Sequence, residues 1–412
     1  MLNMDIHQNI SEYFYDLKNI IKIYNLDKDH QNYIHIYDLY NIDTKIMKKK
    51  NLRQWTLKQK KFKYVKKLEI DYVRKITNIS YLNNLVELSC RGTCGLSQDA
   101  IKKLPNLIKL ICDNNAKIID VNHMSKLEIL SCQEKSGINQ KGILKLENIR
   151  ILNIFYNDKI ININHLIKLE NLNCSYCNGI EQFGILNLVN LKILNASSAS
   201  KIIDVNHIKQ LIELHCGNYS GIGQPGIKNL ENLQILDANN NNKIIDVNHM
   251  TNLRELNCSF GCGIGQNGIV NLNLRKLYAN GNHNINSVNH MNNLEELYCQ
   301  WDSEINQEGI METLNIKKLI ITNNEKIIDL NHLKNLQILN CSGHFSKIGQ
   351  KQISNLLNII KLNVNDNINI IDVNHMKKLK KLYCKGKSGI EPSGINKLNN
   401  IQVYSCMNKQ FQ

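Results

Sequence analysis

With 412 residues and 42% apolar content the chain can fill a core, and at ordinary domain sizes it would make two or three globular domains. Its formal net charge of +15 and its leaning on Ile, Asn and Lys are compositional facts that point to no chemistry of their own. No apolar run approaches the length of a bilayer span and the opening MLNMDIHQNI lacks a signal-peptide core, so neither a membrane protein nor a secreted one is expected, and the expected location is cytoplasmic or nuclear.

Residues 1–44 carry apolar side chains at Ile6, Ile10, Tyr13, Phe14, Leu17, Ile20, Ile21, Leu26, Tyr33 and Ile34. That spacing predicts two or three short amphipathic helices, with Asp16 as an N-cap. So small a helical domain could barely hold a core alone, and packing on the following structure, on a partner, or on both is expected. A basic linker follows over 45–64. The run from Lys45 to Lys67 holds eleven Lys or Arg and no Asp or Glu, which is +11 of the +15. It reads as a solvated linker helix, with nuclear import or contact with an acidic partner as the other readings. No nucleic-acid binding is inferred from it.

From about residue 65 to 412 the chain repeats. Asn122-His123 returns as Asn164-His165, Asn206-His207, Asn248-His249, Asn289-His290, Asn331-His332 and Asn374-His375, at steps of 42, 42, 42, 41, 42 and 43 residues. A period held that closely means stacked structural repeats. Each unit has two halves. One reads Leu127-x-x-Leu130-x-Cys132 followed by Gly137-Ile138-x-Gln140-x-Gly142-Ile143; the other reads Ile149-x-x-Leu152-x-Ile154-x-x-Asn157-x-x-Ile160. The alternating apolar residues of each half predict a short strand with one buried face. A half of 20 to 22 residues is one turn of a solenoid, with the strand on the concave side and a short helix or helical turn returning on the other. The same grid extends from Val65-x-x-Leu68-x-Ile70 to Ile401-x-x-Tyr404-x-Cys406 and predicts about 17 parallel strands.

These motifs resemble the leucine-rich-repeat family. The first half is similar to its cysteine-containing class, and the second to a shorter class with an asparagine turn. The resemblance covers roughly 65–412 and implies an α/β horseshoe solenoid, preceded here by the small helical domain. Asn115, Asn157, Asn241, Asn282, Asn324 and Asn367 resemble the family's asparagine ladder, which implies amide bonds to the backbone of adjacent coils. The string DIHQNISEYFYDLKNIIKIYNLDKDHQNYI, Asp5 to Ile34, resembles a divergent F-box. It has no proline after its first apolar residue, and Gln31 stands where an aromatic is usual. That resemblance implies that Ile6, Ile10, Tyr13, Phe14, Leu17, Ile20 and Ile21 contact the F-box adaptor of a cullin-type ubiquitin ligase. The chain would then be the ligase's substrate-recognition subunit, with the target protein on the concave face. Similar proteins occur in giant DNA viruses, where they would redirect a host ligase. Two other readings stand beside this one. The first is a protein-binding scaffold or inhibitor unrelated to ubiquitin, its N-terminal helices only a cap. The second is a nuclear or acidic-surface binder acting through Lys45 to Lys67.

The periodicity also bounds the site chemistry. Eight cysteines (Cys90, Cys132, Cys174, Cys216, Cys258, Cys299, Cys341 and Cys384) hold one repeat position. They recur every second coil, ~9–10 Å apart, beyond the ~7 Å reach of a disulfide, and read as core. The seven repeat histidines cannot share a metal for the same reason, and with their asparagines they are expected to satisfy backbone groups where the strand leaves into the turn. No metal or cofactor is implied. Ser, His and Asp recur in every unit without forming a unique constellation, so a non-enzyme is expected. The third strand positions, Ser89, Ser131, Asn173, His215, Asn257, Tyr298, Asn340 and Tyr383, are expected to face outward, with Glu87, Glu213, Glu255, Glu296 and Lys381 beside them. The candidate partner-binding set is His215, Glu213, Glu255, Tyr278, Glu296, Tyr298, Trp301 and Tyr383. Adjacent Tyr278 and Tyr298, with Trp301 just beyond, are its expected centre.

Overall fold

Each coil opens with a three- or four-residue strand whose second residue, a leucine in nearly every case, turns inward and is fully buried in all but the last, where Val403 is partly exposed. The computed structural model describes residues 38–39, 63–399 and 401–405. They fall into two compact units, within 1–202 and 203–412. The first unit contains β1 (Asp38–Leu39), β2 (Lys67–Glu69), β3 (Glu87–Ser89), β4 (Lys109–Ile111), β5 (Ile129–Ser131), β6 (Ile151–Asn153), β7 (Asn171–Asn173) and β8 (Ile193–Asn195). Each pairs in parallel with the next, inward residue on inward residue, as in Leu130 to Leu152 to Leu172.

The second unit contains β9 (Glu213–His215), β10 (Ile235–Asp237), β11 (Glu255–Asn257), β12 (Lys276–Tyr278), β13 (Glu296–Tyr298), β14 (Lys318–Ile320), β15 (Ile338–Asn340), β16 (Lys361–Asn363), β17 (Lys381–Cys384) and β18 (Gln402–Ser405). They too run parallel and in register. Strands β2 to β18 are the seventeen that the repeat predicts. Strand β1 is one more, inside the 1–44 stretch expected to be helical; the rest of that stretch lies outside the described residues.

After the strand every coil must turn. A residue at positive φ does this, whatever its type: Asn114 (φ 57), Tyr156 (56), Tyr176 (57), Phe260 (58) and Trp301 (57) stand at equivalent places. In alternate coils, as after Asn114 and Tyr156, an asparagine follows it and points into the core. Asn241 Nδ2 donates to the carbonyls of Cys216 (2.7 Å) and Ile222 (2.9 Å) in the preceding coil, and its Oδ1 accepts from Lys243 N (3.1 Å). Asn157, Asn282, Asn324 and Asn367 do the same one pair of coils at a time.

The return side is thinner than the family resemblance implies. Its helical content among the described residues is one α-helical turn, α1 (Gln98–Ile101), and single 3-10 turns such as Gln140–Ile143 and Gln224–Ile227. Alternate coils return in extended and turn conformation, and their backbone groups find side-chain partners instead. Gln140 Oε1 accepts from Ile161 N and Asn162 N, both at 2.9 Å, while its Nε2 donates to the Asn162 carbonyl (2.8 Å). The Asn-His pairs lie on this return leg, before the next strand and not at the strand exit. Asn122 Nδ2 donates forward to the Lys141 carbonyl (2.8 Å), and His123 Nε2 donates back to the Ile101 carbonyl (3.1 Å). Histidines 165, 249, 290, 332 and 375 repeat that bond at 3.0–3.1 Å.

Two glycines in most first-half coils let the coils approach. A Cβ on Gly137 would lie 2.5 Å from the Ala116 carbonyl oxygen and 2.6 Å from that of Ile118, and one on Gly142 would strike the Ile119 carbonyl. All twelve described cysteines are buried and free, and Cys132, Cys174, Cys216 and Cys258 line the core beneath the strands. Replacing Asn241 by Ala leaves two buried carbonyls and one N–H unmatched, at about 1–3 kcal/mol for each such group. Asn241→Ala is therefore expected to lower the urea midpoint by an amount worth roughly 2–4 kcal/mol, whereas Asn292→Ala on the exposed return leg should shift it by less than about 0.5.

Candidate binding face

From β2 on the first and third strand positions face outward, except where Ser89, Ile111 and Ser131 are buried, so the strand side of each unit carries two side-chain rows at ~4.8 Å spacing. In the second unit the candidate residues fall on these rows: Glu213 and His215 on β9, Glu255 on β11, Tyr278 on β12, Glu296 and Tyr298 on β13, and Tyr383 on β17. Tyr278 and Tyr298 are directly paired across β12 and β13, and their rings stack at 4.2 Å with 24° between planes. Such a pair is worth ~0.5–1.5 kcal/mol beyond area. Lys276 Nζ lies 4.8 Å from the Tyr278 ring centre and 3.1 Å from Glu255. On the other flank Lys318 Nζ lies 5.0 Å from the Tyr298 ring centre and 3.3 Å from Glu296. Tyr298 donates its hydroxyl to Glu296 (3.0 Å). Burial and that carboxylate push the Tyr298 phenol well above its ordinary pKa. The result is a half-buried aromatic pair held between two Glu–Lys rungs.

His215 stands three strands away. Its Nε2 is 2.7 Å from Glu213 Oε1 and its Nδ1 3.6 Å from Asp237 Oδ2. Hydrogen bonds to Asp237 and then to Glu213 raise its pKa to about 8 against the opposing pull of partial burial. Asp237 is legible in the sequence as an outward residue of a second-half strand, but its link to His215 is not, because that pairing runs across strands. Asp237 is held below the usual carboxylate value: burial alone would raise it, but the His215 hydrogen bond and the Asn239 N–H outweigh that.

Trp301, Ser89 and Ser131 are placed differently from expectation, whereas Tyr383 stands on its row. Trp301 is off the strand rows, on the positive-φ turn, where its ring stacks on Phe260 at 5.5 Å and 30°. Tyr383 stacks on Tyr404 of β18 at 4.5 Å and 8°, four strands from Tyr298. In the first unit Ser89 and Ser131 are buried, since each donates its hydroxyl to a carboxylate of the preceding coil, Asp71 or Asp113, at 2.6 Å. The first unit has its own aromatic group on the turns. Phe155 and Tyr176 meet edge-on at 5.6 Å, Tyr156 lies beside them, and a cleft of about 570 Å³ opens next to Phe155 and Tyr156. Ile6, Ile10, Tyr13, Phe14, Leu17, Ile20 and Ile21 lie outside the described residues.

Among the described residues no helix is long and apolar enough to cross a membrane. The thiols lie under the strands, and burial pushes them up, Cys177 and Cys262 to about 11. They are therefore poor nucleophiles at neutral pH.

No family model matches the sequence, and no curated protein does. Solved structures match in fold. The functional domain of InlJ from Listeria monocytogenes, described as including a cysteine ladder, is 20% identical, with a TM-score of 0.50 over 82% of this chain and 72% of that one. The TLR13–ssRNA13 complex gives 19% identity and a TM-score of 0.57, over 86% of this chain and 61% of that one. A leucine-rich-repeat protein of Leptospira interrogans gives 18% identity and a TM-score of 0.48, over 82% and 95%. The chain thus has a leucine-rich-repeat fold with a ladder of cysteines.

Because the folded pKa of His215 exceeds its ordinary value of 6.5, its carboxylate contacts stabilise the fold in full below about pH 6.5 and are lost as pH rises through about 8. An NMR titration of the His215 ring should show a midpoint near 8, falling toward 6.5 in Asp237→Asn/Glu213→Gln. A wild-type midpoint at 6.5 would contradict the geometry.

Proposed function

We propose that this protein works by binding, without catalysis, and that a target protein sits on the outward strand rows of the second unit. The observation that carries this is the Tyr278–Tyr298 stack clamped by Lys276–Glu255 and Lys318–Glu296. Binding surfaces draw most of their affinity from a few rigid aromatic anchors, and an anchor already fixed in place loses little side-chain entropy on association. The surrounding Glu213, His215, Glu255 and Glu296 supply a polar rim suited to a protein surface. The ladders that hold the coils together use inward and return-side groups, so the outward rows remain available.

Within that reading the finer role is substrate recognition for a cullin-type ubiquitin ligase, with residues 1–44 docking on the adaptor. Its support is the F-box resemblance of Asp5 to Ile34 ahead of cysteine-containing repeats. The alternative is a scaffold or inhibitor without a ligase link.

One affinity-purification experiment separates these. Full-length protein should bring down adaptor, cullin and target. Tyr278→Ala/Tyr298→Ala should lose the target by about tenfold or more and keep adaptor and cullin. Ile10→Glu/Phe14→Glu should do the reverse. Target capture with no adaptor or cullin removes the ligase role and leaves the binding role. Equal target capture by wild type and the tyrosine variant would count against the binding face itself.

A further inference from the structure

Lysine occupies the first strand position six times among the described residues, and the six are not alike. Lys67 and Lys109 lie 3.0 and 3.7 Å from Glu87, Lys276 lies 3.1 Å from Glu255, and Lys318 lies 3.3 Å from Glu296. Lys361 on β16 and Lys381 on β17 are paired with each other in register, and among the described residues neither has a carboxylate within ion-pair distance. Three more lysines crowd the same two coils. Lys377 donates to the Lys397 carbonyl (3.2 Å) and Lys378 to Asn358 Oδ1 (2.7 Å), both neutral acceptors, and Lys380 precedes β17. All five are exposed.

The imbalance extends through this part of the chain. Residues 203–316 hold six Lys or Arg and twelve Asp or Glu, whereas 317–405 hold fourteen Lys and five Asp or Glu. The near-neutral total of the repeats conceals this separation. Two ammonium groups about 10 Å apart repel by about 0.4 kcal/mol even at the dielectric constant of water. Five of them, none in an ion pair with a carboxylate among the described residues, make a local positive potential that an anionic partner relieves.

The same place has shape and an apolar component. A cleft of about 640 Å³ is lined by Ile360 and by Lys377, Lys378, Lys380 and Lys381. Beside it on β17 and β18 stand the stacked rings of Tyr383 and Tyr404, with Lys361 Nζ 5.3 Å from the Tyr383 centre. Single-stranded nucleic acid binds such a strip by stacking bases on open aromatic faces. Here one face of Tyr383 meets Tyr404 and Lys361 also engages that ring, so the strip offers one partly exposed tyrosine, Tyr404, in place of a run of open aromatic faces, among ammonium groups, amides and hydroxyls. Those fit the side-chain carboxylates of an extended peptide.

We propose that Lys361, Lys380 and Lys381 anchor an acidic, extended segment of the bound protein, a claim that rests on the protein-binding function above and places a second contact four strands from the tyrosine centre. The probe is a ten-residue poly-glutamate peptide ending in a photoreactive benzoylphenylalanine, used with the full-length chain. Anisotropy of a fluorescent copy at low salt should show saturable binding. Lys361→Glu/Lys380→Glu/Lys381→Glu should weaken it by tenfold or more, while the equal charge change Lys334→Glu/Lys347→Glu/Lys351→Glu should weaken it by less than threefold. Circular dichroism and the melting midpoint check that both variants fold. Cross-links should map to residues 356–405. Equal loss in both variants, cross-links confined to residues 45–67, or tighter binding of a ten-residue oligo-dT to the same strip would each overturn the proposal. Target capture lost in Tyr278→Ala/Tyr298→Ala but unchanged in the lysine variant would sink the acidic anchor alone. Peptide bound at the strip by a chain that captures no target would uphold the anchor chemistry and sink the protein-binding function.

Discussion

The constraint on which the structure depends is the backbone of the return leg. A parallel strand satisfies its amides with its neighbours, but alternate coils come back with no helix, and their N–H and C=O groups would stand unmatched against the next coil. Side-chain amides solve this at three places per pair of coils: the inward asparagine after the turn, the glutamine of the Gly-Ile-x-Gln motif, and the Asn-His pair. Each is short, planar and able to donate and accept at once, which neither Ala nor Leu could do. Gly137, Gly142 and their equivalents follow from the same need, since such bonds require coils closer than a Cβ allows.

A solenoid stabilised from within and from its return side does not need its outward strand rows for stability. Those rows vary from coil to coil in a chain that otherwise repeats, and function resides in that variation. In the second unit three arrangements succeed one another along the rows. His215 lies between two carboxylates, then come the clamped tyrosines, and then lysines with no carboxylate. A partner reading this surface would meet a graded charge pattern, acidic to basic, around one aromatic centre. Electrostatic complementarity of that kind sets orientation and association rate more than affinity, which the tyrosines supply.

Much of the fold is legible from the period alone. Seventeen strands, the inward leucines and the cysteine ladder follow from residues that recur in register, and the bonds of Asn157 or Asn241 from the family resemblance those residues carry. Properties that break the period are harder to read. Trp301 looks continuous with Tyr298 in sequence, but three residues past the strand the chain has reached a positive-φ turn and left the face. Ser89 and Ser131 sit at outward positions, yet Asp71 and Asp113 from the preceding coil bind them inward. The link from His215 to Asp237 and the contrast between Lys318 and Lys361 exist only across strands, where sequence distance is more than twenty residues. Net charge hid the basic strip because the sum over the repeats is small. The expected helical turn on the return side is present only in every second coil, and there Gly137 and Gly142, with backbone carbonyls pressed against them, leave space for a single 3-10 turn.

The most direct test of this account is residue-resolved hydrogen exchange on the full-length protein. Amides of the return leg that donate to glutamine side chains, at Ile161, Ile245 and Ile328, should be protected to the level of strand amides such as Leu256. Exchange at those three sites as fast as in an unstructured loop would mean that the side-chain ladders do not hold the coils.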